Sequence, residues 1–344
     1  MIIEEQQSPE YLKMSMAAAL TLGFKNGRFF RNARLYCINL LQIYSGGCTA
    51  NCAYCGLSRD RFNNFKENSF IRVDWPTYAL DDIIEKMDVN KNMFKRICIS
   101  MITNKRSPDD VLCIIEKIRA KLDTPISVLI CPTIITEVDL AKFKESGADK
   151  IGVAIDAATP ELFDKYRGKG VRGPHRWEKY WDTYQKVIEV FGGENSGVHL
   201  IVGLGETEKE MVDTIQRSSD MGGGTHLFSF YPEPASQMEQ QQPPPVGQYR
   251  RIQLARYLID ENITSINNFD FDSLGKIKDF GLPEYELEKI INSGLPFMTS
   301  GCKGKDGMVA CNRPYGNYPP PEIRNYPFHL TPDDVEIVKN QLWS

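Results

Sequence analysis

Short hydrophobic runs alternate with amphipathic stretches along most of the chain, from about residue 35 to residue 300. Apolar runs of this length, bounded by polar and turn-forming residues, are typical of strands that are buried on both faces of a parallel sheet. The pattern predicts six such strands, at residues 36–44, 96–102, 126–131, 150–155, 197–202 and 225–231.

Helical patterns fill the intervals between these strands. Residues 107–122 begin with Ser107 as a cap and Pro108 in the first turn, and apolar residues then recur at helical spacing. Residues 207–222 show the same periodicity and end in glycine. Because strands that alternate with helices form parallel βαβ units, the chain is expected to have an α/β fold.

The number of units suggests a closed or nearly closed (βα) barrel. Two weaker runs, at residues 263–269 and 295–300, would extend the six clear units to as many as eight. We therefore assign residues 35–299 to a barrel of six to eight units. Residues 300–327 are rich in Gly, Pro, Asn and Tyr and lack periodicity, so residues 300–344 are expected to form a covering loop followed by a terminal helix.

A different pattern precedes the barrel. Residues 8–24 predict a helix in which Ser8 is the cap, Pro9 occupies the first position and Gly23 ends the helix. Residues 1–34 are accordingly interpreted as a helical extension.

Composition narrows the class of protein. A net charge of −4 argues against a nucleic-acid binder, and no apolar run approaches the roughly 20 residues of a membrane span. The polar, acidic N-terminal segment does not resemble a secretory signal, so a cytoplasmic location is expected. In a reducing compartment the nine cysteines favour metal or redox chemistry over disulfides. Cys113, on the apolar face of the helix at 107–122, is expected to be a buried structural thiol.

Three cysteines stand close together in the stretch GGCTANCAYCGLSRDR, residues 46–61. Cys48, Cys52 and Cys55 have the spacing C-x3-C-x2-C and follow the first predicted strand, which places them at the C-terminal face of a barrel, where active sites are built. A structural zinc site usually takes four ligands, often as paired C-x2-C units, and no second pair stands nearby. Three thiolates suit a [4Fe–4S] cluster that keeps one iron open.

The sequence CTANCAYC, with Tyr54 before the last cysteine, resembles the cluster motif of the radical S-adenosylmethionine (SAM) superfamily. The resemblance implies a TIM-like barrel whose open iron binds the amino and carboxylate groups of the methionine moiety of SAM. It also implies an electron donor, reductive cleavage of the sulfonium, and a 5′-deoxyadenosyl radical that abstracts hydrogen from unactivated carbon.

The same resemblance suggests further SAM-binding residues. Residues 200–211 are similar to the adenine-binding motif of the family, in which Gly203 and Gly205 would let the backbone approach the purine and Glu206 would begin the next helix. The alternative is an ordinary glycine turn before a capped helix.

Polar residues near two other strands are candidates for the rest of SAM. Asp156, at the end of the fourth strand, is expected on the ribose, although it could be a turn or capping residue. His175 or Arg176 would pair with the methionine carboxylate, because arginine meets a carboxylate bidentately. Both could equally be solvated.

The remaining cysteines raise the question of a second cluster. In biotin synthase, cysteines from the second, third and fifth barrel strands hold one, and Cys98 and Cys131 resemble the first two of these, while the fifth strand has no cysteine. The other arrangement combines Cys37 with Cys302 and Cys311 of the covering loop, and three thiolates plus a weaker ligand would again leave one iron labile. A third reading is that none of them binds iron.

The chain most resembles the archaeal two-component lipoyl synthases, in the stretches RLYCINLLQIYSGGCTANCAYCGLSR and ACNRPYGN. These biotin-synthase-like enzymes work in pairs, and each adds one sulfur to an octanoyl chain. The resemblance implies two iron–sulfur clusters and SAM as cofactors. The implied partners are an octanoylated lipoyl carrier domain or octanoyl-lysine peptide, a second radical SAM subunit and an electron donor. Alternatives are biotin synthase, another radical SAM carbon-skeleton or cofactor-maturation enzyme, and a zinc-stabilised binding module.

A basic segment precedes the first strand. Residues 24–36 contain four cations and no acid, and these could steer an acidic carrier domain electrostatically: Lys25, Arg28, Arg31 and Arg34. Arg59 and Arg61 form a second basic group after the cluster loop. All six could instead be solvated charges or structural ion pairs.

Overall fold

A computed structural model describes residues 6–61 and 69–344, so the acidic residues 1–5 lie outside the described part. The main sheet has eight strands in the order β3-β1-β2-β4-β5-β6-β7-β8. The strands are β1 (Tyr11–Met14), β2 (Cys37–Gln42), β3 (Thr77–Ala79), β4 (Arg96–Ser100), β5 (Ile126–Ile130), β6 (Ala148–Asp156), β7 (Ser196–Val202) and β8 (Gly224–Ser229). A separate hairpin consists of β9 (Asp270–Phe271) and β10 (Ile277–Asp279).

Strands β2 and β4 to β8 run parallel, and helices follow them as the sequence predicts. The helices are α1 (Met16–Thr21), α2 (Leu80–Val89), α3 (Ser107–Arg119), α4 (Glu137–Glu145), α5 (Pro160–Tyr166), α6 (Trp177–Phe191), α7 (Glu208–Asp220), α8 (Val246–Asp260), α9 (Glu284–Ser293) and α10 (Pro332–Leu342). Aliphatic side chains of strands and helices merge into one large buried core. In the described ranges no helix combines the length and apolar character needed to cross a bilayer.

All six predicted strands are confirmed, and together they form six βα units of an α/β, TIM-like barrel. The two weaker runs were wrongly interpreted as strands. They contain 3₁₀ turns instead, at Ile266–Asn268 and Leu295–Phe297. Pro296 explains the second case, because its ring fixes φ and removes a backbone donor that a central strand would need.

The predicted helix at residues 8–24 is wrong in its first half. Strand β1 pairs antiparallel with β2, and Leu12 and Met14 are fully buried. Burial of these side chains, on a strand that pairs with both β2 and β3, outweighs the local preference for helix. Only α1 is helical, and its cap is Ser15, whose side chain accepts from the Ala18 amide at 3.2 Å.

The covering segment, residues 299–327, connects the last parallel strand, β8, with the start of the first, β2. Ser300 accepts hydrogen bonds from the His226 ring and the Leu227 amide of β8. Asn312 accepts from the Tyr36 amide just before β2 at 3.0 Å and donates to the Arg34 carbonyl oxygen at 2.8 Å. The segment therefore fills the space between the first and last parallel strands.

Arg31 ties the basic segment to the C-terminal helix. Its guanidinium donates two hydrogen bonds of 2.8 Å to Asp334 and lies 4.6 Å from the Phe328 ring centroid. The hydrogen bond from Arg31 lowers the pKa of Asp334 from 3.8 to about 2. The alternative reading of a structural ion pair is thus correct for Arg31.

This ion pair predicts a pH-dependent stability. Because the pKa of Asp334 is depressed in the folded chain, its contribution is complete above about pH 4 and is lost as the pH falls towards 2. Asp334→Asn is expected to lower the free energy of unfolding at pH 7 by about 1–2 kcal/mol, a value kept small because solvent screens the partly exposed Arg31. Near pH 2 the same substitution should change the free energy of unfolding little. Denaturant titration at both pH values measures this. Asp333→Asn, in the same turn but exposed, is the control; an equal loss there would contradict the explanation.

Candidate active site

The loop after β2 carries the three clustered cysteines and is held at the C-terminal end of the sheet. The Ala53 amide donates to the Tyr166 carbonyl oxygen at 2.8 Å, and Asn51, only 1% exposed, donates to the Val171 carbonyl oxygen at 2.8 Å. Gly56 admits no side chain, because a Cβ there would overlap the Ser69 carbonyl oxygen. The loop is therefore fixed on several sides.

Cys48, Cys52 and Cys55 all line one cavity inside the barrel. Burial raises the pKa of Cys52 to about 12 and that of Cys55 well above its usual range. Without metal these two thiols are protonated, so iron binding must displace their protons. Across the described ranges, no three His, Cys, Asp or Glu side chains are grouped so as to hold a single metal ion.

A buried polar network lies beside this loop. The Tyr54 hydroxyl donates to Asp156 Oδ2 at 2.6 Å, and Arg167 Nη1 lies 3.1 Å from the same oxygen. Asp156 has a φ of 65°, next to a register shift at the end of β6. Such strained backbone is common where a side chain must be aimed at a functional site. Tyr54 and Asp156 thus meet on the cavity wall, and their role in binding SAM stays a prediction.

Sequence reasoning missed Arg167, which is 4% exposed and lines the same cavity. Burial opposes its charge, but the Asp156 carboxylate keeps its pKa above the usual value. Its Nε is buried and has no hydrogen-bond partner among the described residues. An arginine at the end of α5 and before a glycine looks like a solvated helix-terminal cation, so nothing in the local sequence marks it.

His175 and Arg176 occupy different environments. His175 is 2% exposed, lines the cavity, and shares hydrogen bonds with the Thr133 and Tyr180 hydroxyls at 2.6 and 3.0 Å. Burial lowers its pKa to about 2, so it is neutral and cannot pair with a carboxylate as a cation. Arg176 is exposed and lies off the cavity. The cation that faces the cavity here is Arg167 instead.

Gly203, Gly205 and Glu206 lie in the turn between β7 and α7. Gly203 and Gly205 have φ values of 108° and 115°, and Pro244 packs over Gly203. The Glu206 carboxylate accepts from the Gly203 and Leu204 amides at 2.6 and 2.9 Å, and burial raises its pKa to about 7. None of these residues lines the described cavity wall. The arrangement is a glycine turn before a capped helix, and a role of these residues in binding the adenine stays a prediction.

A second group of thiols lies in and beside the same cavity. Cys302 and Cys311 stand at the base of a turn in the covering segment, where the Cys311 amide donates to the Cys302 carbonyl oxygen at 3.1 Å. Asn39 Nδ2 on β2 lies 3.7 Å from the sulfur of Cys37 and 3.8 Å from that of Cys311. Cys98 on β4 also lines the cavity. We call Cys37, Cys98, Cys302 and Cys311 the auxiliary thiol group.

The members of this group influence each other electrostatically. Burial raises the pKa of Cys37 and Cys98 and raises that of Cys302 to about 11. A hydrogen bond with Cys37, with the nearby charge of Arg313, lowers the pKa of Cys311 to about 7. Burial lowers the pKa of Arg313 to about 10, so it remains charged at neutral pH beside these sulfurs.

The cysteines are grouped differently from either set expected from the sequence, which were Cys98 with Cys131 and Cys37 with Cys302 and Cys311. Cys98 joins the set of Cys37, Cys302 and Cys311, whereas Cys131 lies apart from it. The Cys131 sulfur is 3.0 Å from the Thr103 hydroxyl and 3.5 Å from the Tyr180 hydroxyl. Cys113 lies half-buried on α3 and does not line the cavity.

The sequence-family model of the radical SAM superfamily matches residues 43–217, just over half of the chain. The chain therefore belongs to this superfamily. Among curated proteins it is similar to the biotin synthase of a Sulfurihydrogenibium species, with 26% identity over 194 residues, 56% of this chain and 54% of that protein. The biotin synthase of Brucella anthropi is 24% identical over 234 residues, 67% of this chain and 65% of that protein. The chain thus spans about half to two thirds of these relatives.

Among solved structures the fold is similar to HydG, a maturase of the [FeFe]-hydrogenase. The TM-score is 0.53 at 12% identity, over 71% of this chain and 53% of that chain. This likeness shows the fold. Membership of the superfamily implies a [4Fe–4S] cluster and SAM. The three thiols on one fixed loop suit that cluster, and the unpartnered Arg167 Nε beside them is a donor available to a ligand.

Tyr54 provides a test of the SAM site. Tyr54→Phe removes a donor from Asp156, which the family resemblance assigns to the ribose, so SAM affinity is expected to fall about tenfold, or about 1.4 kcal/mol. Equilibrium dialysis of the reconstituted protein measures it. Tyr184→Phe, which removes a 2.9 Å bond to Ser218 outside the cavity, is the matched control. Equal losses in both variants would remove Tyr54 from the SAM site.

Proposed function

We propose that the protein is a radical SAM enzyme of the lipoyl synthase type, which inserts sulfur into an unactivated C–H bond of a protein-bound octanoyl chain. The observation that carries the proposal is the auxiliary thiol group, three of whose members, Cys98, Cys302 and Cys311, line the same cavity as the cluster loop. A carbon radical formed near Cys48, Cys52 and Cys55 would face a sulfur source without leaving this cavity.

In this proposal the second iron–sulfur cluster is bound by the auxiliary thiol group and supplies the sulfur. Cys37, Cys302 and Cys311 remain the central ligands, and Cys98 is close enough to interact with them electrostatically. Four neighbouring cysteine sulfurs, with the charged Arg313 nearby, suit an anionic iron–sulfur cluster. The role of the protein is to hold the substrate carbon between the two sites and to exclude water.

The cavity wall also suits an apolar substrate. Six apolar side chains line it on the side of the cluster loop: Leu41, Leu57, Phe70, Ile71, Trp75 and Ile102. An unbranched acyl chain gains by burial in such a slot about 0.8 kcal/mol for each methylene group.

Sulfur insertion of the biotin synthase type is the second candidate, favoured by the similarity to two biotin synthases and by the place of Cys98 on a barrel strand. The decisive experiment is anaerobic reconstitution, followed by assays for 5′-deoxyadenosine and sulfur product with an octanoyl-lysine peptide and, in parallel, with the biotin precursor. Product from the biotin precursor alone would replace the lipoyl assignment. Zinc in place of iron and labile sulfide would favour the binding module.

An octanoyl chain on a lysine would arrive on a carrier domain, and the basic segment offers a docking surface. Lys25, Arg28 and Arg34 are exposed, whereas Arg31 is bound to Asp334. Arg61 of the second basic group also has a structural role, because it donates to the Gly56 and Ser69 carbonyl oxygens of the cluster loop. Docking is therefore better tested at Arg28 and Arg34. A second radical SAM subunit and an electron donor complete the proposed partners.

Arg28→Glu/Arg34→Glu is expected to raise KM for an octanoylated, acidic carrier domain by about tenfold at low salt, because charge reversal turns attraction into repulsion. KM for a short octanoyl-lysine peptide should change little. Initial rates at several ionic strengths measure both substrates, and Lys121→Glu, exposed in the turn after α3, is the control. Equal effects on the two substrates would place docking elsewhere.

A further inference from the structure

One imidazole stands against the auxiliary thiol group. His226, on β8, lines the cavity, and its Nε2 lies 3.8 Å from the sulfur of Cys302. Its Nδ1 lies 2.8 Å from the carbonyl oxygen of Ser300. Neither the cysteine spacing nor the family motifs point to this residue.

These contacts settle which ring nitrogen carries the proton. A carbonyl oxygen can only accept a hydrogen bond, so Nδ1 of His226 carries a proton, and in the neutral ring Nε2 then presents its lone pair towards the thiols. The Ser300 hydroxyl in turn accepts from the Leu227 amide at 3.1 Å, which fixes the carbonyl that orients the ring. The ring of His199 packs edge-on, at a centroid distance of 5.1 Å, and limits rotation.

We propose, resting on the second cluster of the proposed function, that His226 Nε2 is an iron ligand of that cluster. Histidines that bind metals usually donate their other ring N–H to a carbonyl or carboxylate, as His226 does to Ser300. In this tautomer of the neutral ring, Nε2 binds iron without releasing a proton. Imidazole nitrogen is an established ligand in iron–sulfur centres.

A histidine ligand would change the number of available ligands and the charge of the second cluster. The auxiliary thiol group and His226 together offer five donors, one more than the four irons of a cubane cluster require at one ligand each. A neutral imidazole in place of an anionic thiolate makes the cluster less negative and raises its reduction potential. His226 would supply the one neutral protein ligand among anionic thiolates, and so the weakest protein bond to a cluster held here.

The test isolates the second cluster by replacing Cys48, Cys52 and Cys55 together with Ala in the full chain. The chain has four histidines, so labelling with ¹⁵N-histidine is selective. After reconstitution and reduction, pulsed electron paramagnetic resonance is expected to show a nitrogen hyperfine coupling that changes with the isotope. The coupling should vanish in His226→Asn and persist in His199→Asn. Loss of iron to a chelator should be faster by about tenfold or more in His226→Asn than in His199→Asn.

The outcomes separate the inference from the proposed function. If the variant without the radical-cluster cysteines binds no iron–sulfur cluster, the second cluster and the proposed function both fail. If the cluster forms but shows no histidine coupling, or if the coupling persists in His226→Asn, only the ligand assignment is wrong. The isotope comparison needs no substitution of His226, so the inference can be refuted even where His226→Asn does not fold.

Discussion

Replacing Cys48, Cys52 or Cys55 with Ala is expected to abolish reductive cleavage of SAM. Each thiol lies on the same fixed loop and faces the cavity, and the loss of one leaves a second iron without a protein ligand. The cluster is then destabilised, and the geometry in which one open iron meets SAM is lost. The expected decrease in 5′-deoxyadenosine formation, measured under reducing, anaerobic conditions, is more than about a thousandfold, equivalent to over 4 kcal/mol.

Cys131→Ala is the control for these variants. Its half-buried thiol lines the same cavity, but it bonds to the Thr103 and Tyr180 hydroxyls rather than lying on the loop. This variant should retain SAM cleavage. Substantial cleavage in a variant of Cys48, Cys52 or Cys55 would overturn the assignment of the radical cluster.

Alanine variants of Cys302 and Cys311 are expected to separate radical formation from sulfur transfer. Both thiols belong to the auxiliary thiol group and lie on the covering segment, away from the loop that binds the radical cluster. They should therefore still produce 5′-deoxyadenosine with the octanoyl-lysine peptide, and the yield of thiolated product should fall by more than about a hundredfold. Mass spectrometry of the peptide measures the product, and chromatography measures 5′-deoxyadenosine.

Cys113→Ala, on α3 and outside the cavity, is the matched thiol control and should leave both products unchanged. Active Cys302 and Cys311 variants, together with inactive Cys98 and Cys131 variants, would assign the second cluster to the barrel strands. A loss of 5′-deoxyadenosine in the Cys302 and Cys311 variants would show that the covering segment supports the radical site itself.

The six parallel strands could be predicted because each is a short run of buried aliphatic residues, a local signal. The cluster loop was equally accessible, since its cysteines are neighbours in sequence. Strand β1 was not, because residues 11–14 become a strand only by pairing with β2, more than twenty positions further along the chain. Propensity describes a segment alone and cannot include the partner.

The rest of the candidate site depends on distant contacts. Arg167 is turned inward by two carbonyl oxygens of β6 and by Asp156, none of which its own neighbourhood reveals. His226 meets Cys302 across 76 positions. Cys98 joins Cys311 because the covering segment folds against β4 and β2, and the sequence only offered these cysteines as competing sets. Such associations are properties of the fold.

The covering segment also determines what a second cluster would mean for the integrity of the molecule. Residues 299–327 reach β8 through Ser300 and the start of β2 through Asn312, so they lie along the seam where the parallel sheet does not close on itself. Iron bound by Cys37, Cys302 and Cys311 would cross-link β2 to the covering segment along that seam. An enzyme that consumes this cluster in each reaction would break the cross-link as it forms product. The same break would open a route for new iron and sulfide, without disturbing the strands that hold the radical cluster.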